Sequence, residues 1–130
     1  QAFKNNYTNI AVVRNPYDRF ISMFKDVKRR GEIFSLHDHD TVDKFLSYLE
    51  KTPNRNRNLH FKTQKSFLYD NVKCIDITDE DNLHLFLNHP IPHKNSIDDK
   101  VVLTDDMKQR VYELYEEDFT YLGYTKWLKY

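Results

Sequence analysis

The amino-acid sequence predicts an α/β fold in which helices flank a small parallel sheet. Two short apolar runs, at residues 9–13 and 72–77, have the length and composition of buried parallel strands. A helical pattern follows each run, and this alternation of strand and helix is typical of a parallel sheet. Two strands are too few for a free-standing sheet, so we expect the 130 residues to be part of a larger domain.

The first two helices have clear boundaries in the sequence. Pro16 suits the first turn of a helix, Asn15 can serve as its N-cap, and Gly31 can end it. The second helix is predicted to begin near residue 41 and to stop before Pro53. The residues predicted to face the core recur at helical spacing: Phe20, Met23, Phe24, Val27, Val42, Phe45, Leu46 and Leu49.

The second half of the chain carries further helical patterns. A short helical piece is predicted around residues 64–68, and Thr78 with Asp81 resembles the N-cap pair of another helix. A closing helix is predicted over residues 104–123, with its first residue as the cap. We expect the closing helix to be structural, because an apolar stripe runs along it: Val111, Leu114 and Tyr115.

The composition excludes several classes of protein. Twenty basic and twenty acidic residues cancel, which argues against a polycation that coats nucleic acid. The single cysteine, Cys74, excludes an internal disulfide and a cysteine-based zinc cluster. With only two glycines no Gly-rich phosphate loop can be written, and no apolar run approaches the about 20 residues of a membrane span. The sequence therefore predicts one globular domain over residues 1–130.

The junction between the first strand and the first helix has the features of an anion site. Arg14 stands at the carboxyl end of the strand, where open α/β sheets bind ligands, and a helix N-terminus follows at once. Ser22 could add a hydroxyl donor to the same anion. In the alternative interpretation, Arg14 pairs with an acid at the end of the strand and Ser22 only faces a tight contact.

Residues 12–24, VVRNPYDRFISMF, resemble the 3′-phosphate-binding motif V-R-x-P-Y-x-R-x-x-S of the membrane-type carbohydrate sulfotransferases. The resemblance implies a P-loop-NTPase-like sulfotransferase fold. It also implies 3′-phosphoadenosine 5′-phosphosulfate as the sulfuryl donor, with its 3′-phosphate held by Arg14 and Ser22.

Four later segments are similar to the same family, and one of them, residues 72–87, resembles its strand followed by an acidic helix start. Residues 59–64 resemble its H-[WF]-x-x-Q segment, and residues 111–124 resemble its closing Y-x-x-D-F-x-x-[FL]-G-Y helix. Residues 93–96 are similar to its H-x-N-x-S loop, which implies a loop near the nucleotide formed by Lys94, Asn95 and Ser96. The matches follow the order of the family over nearly the whole chain.

One part of the family pattern is missing from these residues. The family carries a 5′-phosphosulfate loop, P-K-x-[AG]-[ST]-[ST], after its first strand, and the loop lysine stabilises the transferring group. The 130 residues contain no such segment. We therefore expect a sulfotransferase-like domain that is incomplete at its N-terminus, or alternatively a degenerate enzyme. In both cases these residues alone are predicted to have negligible activity.

The resemblance implies transfer of a sulfuryl group to a hydroxyl, on a carbohydrate acceptor, which requires a base at the hydroxyl. His60, beside Lys62 and Gln64, is the best candidate for that base because histidine titrates near neutral pH. A surface or structural role for His60 is the alternative.

Two other functions compete with catalysis. The first is a non-catalytic module that binds a nucleotide or another anion with the same fold, which the missing loop favours. The second is a nucleic-acid-binding domain, against which the neutral net charge argues. The localisation stays open: animal members of the family are Golgi enzymes, while a lone cysteine equally fits a microbial or viral cytoplasmic protein.

Two charged clusters have both a functional and a structural interpretation. Residues 37–40, His-Asp-His-Asp, could ligate a metal, but this spacing on a loop is common by chance, and no metal site is predicted. Residues 28–30 with Arg55 and Arg57 could form a basic strip that attracts an anionic sugar polymer or the cofactor. We favour the alternative for this strip, a solvated face.

Overall fold

A computed structural model describes residues 9–36, 38–69, 72–86 and 100–126. In chain order the strands and helices are β1 (Asn9–Val13), α1 (Pro16–Arg30), α2 (Val42–Lys51), β2 (Val72–Asp76), α3 (Glu80–Phe86), α4 (Asp105–Leu114) and α5 (Glu116–Leu122). The chain divides into two compact units. The sheet unit contains residues 1–14 and 67–100, and the helical unit contains residues 15–66 and 101–130. The α/β class predicted from the sequence is confirmed.

The sheet unit is built on two parallel strands. β1 pairs with β2 in the register that places Val12 opposite Ile75. The N–H of Ile77 still donates to the carbonyl of Val13 (2.8 Å), although β2 itself ends one residue earlier. Val13, Ile75 and Leu83 are its buried apolar residues within the described ranges. The predicted parallel pairing of the two apolar runs is therefore confirmed.

The cap of α3 differs from the sequence prediction. The N–H of Asn82 donates to a side-chain oxygen of Asp79 (3.3 Å), so Asp79 caps this helix. Thr78 instead donates its own N–H to the carboxylate of Asp76 (2.8 Å), which closes the turn after β2. The predicted N-cap pair of Thr78 with Asp81 is wrong. Thr78 belongs to the turn after β2, and the cap position is the next residue, Asp79.

In the helical unit, α1 begins as the sequence predicts. The side chain of Asn15 accepts from the N–H of Tyr17 (2.9 Å), and Pro16 occupies the first helical position. The helix ends at Arg30, with Gly31 as its C-cap, but Gly31 keeps right-handed helical angles (φ −55°). The left-handed position of the following turn is taken by Ser35 (φ 58°), so the glycine is not needed there for its conformational freedom.

The second helix is confirmed at both ends. Thr41 caps α2 by accepting from the N–H of Lys44 (3.2 Å), and the helix ends at Lys51, before Pro53. On the apolar face of the helix, Phe45, Leu46 and Leu49 are completely buried. The residue types alone decide this segment, since a threonine cap, a helical stripe and a proline stop all agree.

The predicted closing helix is two helices. α4 ends at Leu114 and α5 begins at Glu116, with Tyr115 between them in a non-helical conformation (φ −120°, ψ 25°). The hydroxyl of Tyr115 donates to the carbonyl of Phe61 (2.7 Å). A buried hydrogen bond at this residue compensates the break in the helix. The prediction of one continuous helix over 104–123 is therefore wrong, while its cap at Thr104 is confirmed.

The core of the helical unit is largely aromatic. The ring centroid of Phe45 lies 5.5 Å from that of Phe20 and 5.3 Å from that of Phe61. The other buried members are Tyr17, Met23, Phe24, Val27, Leu36, Leu46, Leu49, Leu103, Val111, Tyr115 and Phe119. Leu114 packs against this core as a half-buried side chain, so its predicted place on the core-facing stripe is confirmed.

An ion-pair cluster joins α4 to α2. Arg110 donates to the carboxylates of Asp43 (2.7 Å) and Glu50 (2.7 and 3.0 Å), and its side chain is only 18% exposed. Hydrogen bonding with Glu50, then with Asp43, raises the pKa of the Arg110 guanidinium above its usual range. The cluster fixes the orientation in which the two helices pack.

Candidate functional site

Arg14 lies where the sequence predicted it. It directly follows β1 and is half-buried, as the last residue of its segment of the sheet unit. The strand therefore presents the arginine at its carboxyl end, the end at which parallel sheets bind ligands.

Ser22 belongs to the helical unit. It lies in the second turn of α1 and is half-buried. The first turn supplies fewer free N–H groups than the sequence suggests, because Pro16 has none and the N–H of Tyr17 is bonded to Asn15. An anion at this helix would therefore depend on side chains more than on the backbone.

Tyr17 and Arg19, which belong to the same motif, contact the rest of the helical unit. Tyr17 is fully buried, and its ring meets that of Phe119 edge-on at a centroid distance of 5.0 Å. Arg19 donates to the backbone carbonyl of His60 (3.2 Å), and its guanidinium lies 5.8 Å from the ring centroid of Tyr115. The motif thus contributes packing and positioning groups as well as the two predicted phosphate ligands.

His60, the predicted base, is held by its backbone and exposed at its side chain. Its N–H donates to the side chain of Asn58 (3.0 Å), and its carbonyl accepts from Arg19. The imidazole ring lies 5.4 Å from the ring of Phe34. The imidazole is therefore exposed to solvent on a backbone that hydrogen bonds hold in place.

The segment that carries His60 is attached to α5 by buried hydrogen bonds. The carboxylate of Asp118 is fully buried and accepts from the N–H groups of Gln64 and Lys65, both at 2.8 Å. The hydroxyl of Thr63 also donates to the carboxylate of Glu117. These bonds replace the regular secondary structure that residues 58–65 lack, apart from short 3₁₀ turns.

Burial changes the acid–base properties of this cluster. It raises the pKa of Tyr115 to about 12, so the hydroxyl stays protonated and donates to the carbonyl of Phe61. Burial also raises the pKa of Asp118 above its ordinary value, although the hydrogen bonds from Gln64 and Lys65 act in the opposite direction. The Y-x-x-D-F pattern places Tyr115 and Asp118 three residues apart, and this spacing was the only local signal for their roles.

The basic strip is not one surface. Arg57 is buried, donates to the carbonyls of Leu49 (3.2 Å) and Thr52 (2.9 Å), and so caps the end of α2. The expectation that Arg57 is solvated is wrong, whereas Arg55 is exposed. Residues 28–30 are exposed and line a surface cavity of about 400 Å³ at the end of α1.

Two other sequence features have no described geometry as sites. Among the described residues, no group of three His, Cys, Asp or Glu side chains could hold a metal, and His37 lies outside them. Lys94, Asn95 and Ser96 also lie outside the described residues.

Within the described ranges, no helix is both long and apolar enough to cross a membrane.

The parallel strands and the helices make this an α/β protein, and Arg14 after β1 is the residue at which the sequence predicts an anion site. A model of the sulfotransferase family matches residues 1–103, and the chain belongs to the sulfotransferase family. The match includes Arg14, Ser22 and His60 and ends before α4. Comparisons with curated proteins and with solved structures find no match.

Proposed function

We propose that the chain binds 3′-phosphoadenosine 5′-phosphosulfate and takes part in transfer of its sulfuryl group to a hydroxyl, on a carbohydrate acceptor. The observation that carries the proposal is the phosphate-type motif of a family member at a strand-to-helix junction, with Arg14 after β1 and Ser22 on α1. Its residue types fit a phosphate, since a guanidinium and a hydroxyl both donate hydrogen bonds to anionic oxygens.

Arg14 and Ser22 hold the 3′-phosphate in this proposal. Arginine suits the task because its fixed fork of donors matches two phosphate oxygens at once. Ser22 adds a neutral donor, and the positive end of the α1 dipole favours the anion. Lys94, Asn95 and Ser96, which lie outside the described residues, are assigned to the nucleotide in the same proposal.

Replacing Arg14 by alanine tests the binding part of the proposal. Arg14→Ala should weaken binding of adenosine 3′,5′-bisphosphate by about 1.5–3 kcal/mol, because a charge-assisted pair is lost. Isothermal titration calorimetry on the 130-residue chain measures the affinity. Arg55→Ala is the matched control, since Arg55 is exposed and lies outside the motif, and it should bind like the parent. Equal affinity of the Arg14 variant and the parent would contradict the proposal.

His60 is the proposed base for the acceptor hydroxyl. The donor supplies an activated sulfuryl group. A base near the acceptor hydroxyl must take its proton as the oxygen attacks that group. The imidazole of His60 is exposed, so it is accessible to an acceptor hydroxyl. The other requirement is a positively charged group beside the departing phosphate, where it stabilises the negative charge that develops.

Turnover distinguishes an enzyme from a module that only binds the nucleotide. These 130 residues contain no P-K-x-[AG]-[ST]-[ST] segment, so the leaving phosphate lacks its main charge stabiliser, an effect of about 10²-fold or more. We expect negligible sulfuryl transfer from radiolabelled donor to a polysaccharide acceptor, together with measurable nucleotide binding. Rapid turnover would show that other residues of the chain replace the loop.

A further inference from the structure

The guanidinium of Arg19 interacts with other groups of the helical unit. Its guanidinium donates to the carbonyl of His60 (3.2 Å) and lies 5.8 Å from the ring centroid of Tyr115. Its positive charge partly opposes the burial that raises the pKa of Asp118. A carbonyl, an aromatic ring and a carboxylate are three groups that attract a guanidinium.

The backbone around His60 is held at consecutive positions. The N–H of His60 is bonded to the side chain of Asn58 (3.0 Å), and the N–H of Phe61 to the carbonyl of Asn58 (2.9 Å). The carbonyl of Phe61 accepts from the hydroxyl of Tyr115 (2.7 Å). Arg19 provides the bond to the one carbonyl between these groups, that of His60 itself.

We propose that Arg19 is a positioning residue that fixes His60 to α1. Arg19 and Ser22 are three residues apart on this helix, so they are neighbours on its surface. A rigid helix that carries both residues sets the position of the imidazole relative to the hydroxyl that binds the 3′-phosphate. The role rests on the proposed function of Ser22 and His60, and it differs from that of a phosphate ligand, the other role open to an arginine of this motif.

Two Arg19 variants separate the two roles. Arg19→Gln removes the charge, and Arg19→Lys keeps the charge with a single donor group in place of the planar fork. Arg29→Gln is the matched control, because Arg29 is exposed on the same helix and pairs only with the nearby Asp26 in the described contacts. Circular dichroism first shows that each variant is folded.

The measurements are nuclear magnetic resonance of His60 and calorimetry with adenosine 3′,5′-bisphosphate. In Arg19→Gln we expect amide exchange at Phe61 to increase about tenfold or more, because a charge-assisted bond to the adjacent carbonyl is lost. The imidazole resonance should also shift, Arg19→Lys should restore part of both signals, and the control should change neither. Nucleotide affinity should stay within about threefold of the parent, because a positioning residue makes no bond to the phosphate.

Two results would overturn the positioning role. Unchanged exchange and an unchanged His60 resonance in both Arg19 variants would show that the bond to the carbonyl has no effect. A loss of nucleotide affinity of about tenfold or more with His60 undisturbed would make Arg19 a phosphate ligand. If the parent chain binds no nucleotide, the proposed function fails, while the exchange and resonance data still decide whether Arg19 positions His60.

Discussion

Phe45→Ala is expected to lower the free energy of unfolding by about 3–5 kcal/mol. The side chain is completely buried, and its ring lies within 6.5 Å of the rings of four others: Phe20, Phe24, Tyr48 and Phe61. Removing the ring takes away both its burial and these ring contacts, and the cavity can close only in part. A domain of this size is stable by about 5–15 kcal/mol, so the loss is a large fraction of the total.

Urea unfolding followed by circular dichroism measures this loss. Ile33→Ala is the control, since Ile33 is 72% exposed in the same unit and should change stability by no more than about 0.5 kcal/mol. Phe45→Leu should recover part of the loss, because leucine fills some of the space. A Phe45→Ala variant as stable as the Ile33 control would show that the aromatic cluster does not hold the unit together.

The first half of the fold was predictable because several local signals agree there. Asn15 and Pro16 start α1, the stripe through Phe20 and Phe24 faces inward, and Thr41 caps α2. Each signal acts over only a few residues, so the sequence alone is enough to recognise it. The parallel pairing of β1 with β2 is a longer-range feature, but it follows from the alternation of strands and helices.

The closing segment was not predictable because its geometry depends on a distant partner. Tyr115 interrupts the helix where its hydroxyl reaches the carbonyl of Phe61, a residue 54 positions earlier. Residues 105–122 include no glycine or proline that would mark the break. Because the helical periodicity of apolar residues continues across Tyr115, the sequence pattern does not reveal the break.

Arg57 shows the same limit for burial. It stands in the polar run Asn54-Arg55-Asn56-Arg57-Asn58, which has the composition of a solvated loop. Arg55 is exposed, whereas the guanidinium of Arg57 is buried because it binds the carbonyls at the end of α2. Since the two arginines have the same kind of neighbours in sequence, only the tertiary structure distinguishes them.

For the candidate site, the sequence motif singles out Arg14 and Ser22 as predicted ligands but gives no role to the residues around them. Arg14 follows β1 and Ser22 lies on α1, and their role as phosphate ligands stays a prediction. Arg19 belongs to the same motif, but its bond to the carbonyl of His60 joins residues 41 positions apart. Such positioning contacts leave no local pattern, which is why the motif alone assigned Arg19 no role.

Asp118→Ala is expected to lower the free energy of unfolding by about 2–4 kcal/mol, because the N–H groups of Gln64 and Lys65 lose their acceptor. Thermal unfolding at constant pH measures the effect. Glu116→Ala is the matched control, since Glu116 is an exposed acid in the same first turn of α5, and it should cost no more than about 0.5 kcal/mol. Equal melting temperatures of the two variants would show that the segment does not depend on this carboxylate.

The pH dependence of the same variant series tests the ionisation of Asp118. Its pKa in the folded chain is raised above the ordinary value of 3.8, mainly by burial. A group with a raised folded pKa binds more protons in the native state, so its contribution to stability falls as pH rises from about 3.8 to the raised value. The stability of the parent relative to Asp118→Asn should therefore decrease over that interval and level off above it, because asparagine does not titrate. A difference that instead increases with pH would mean that the hydrogen bonds from Gln64 and Lys65 outweigh the cost of burying the charge.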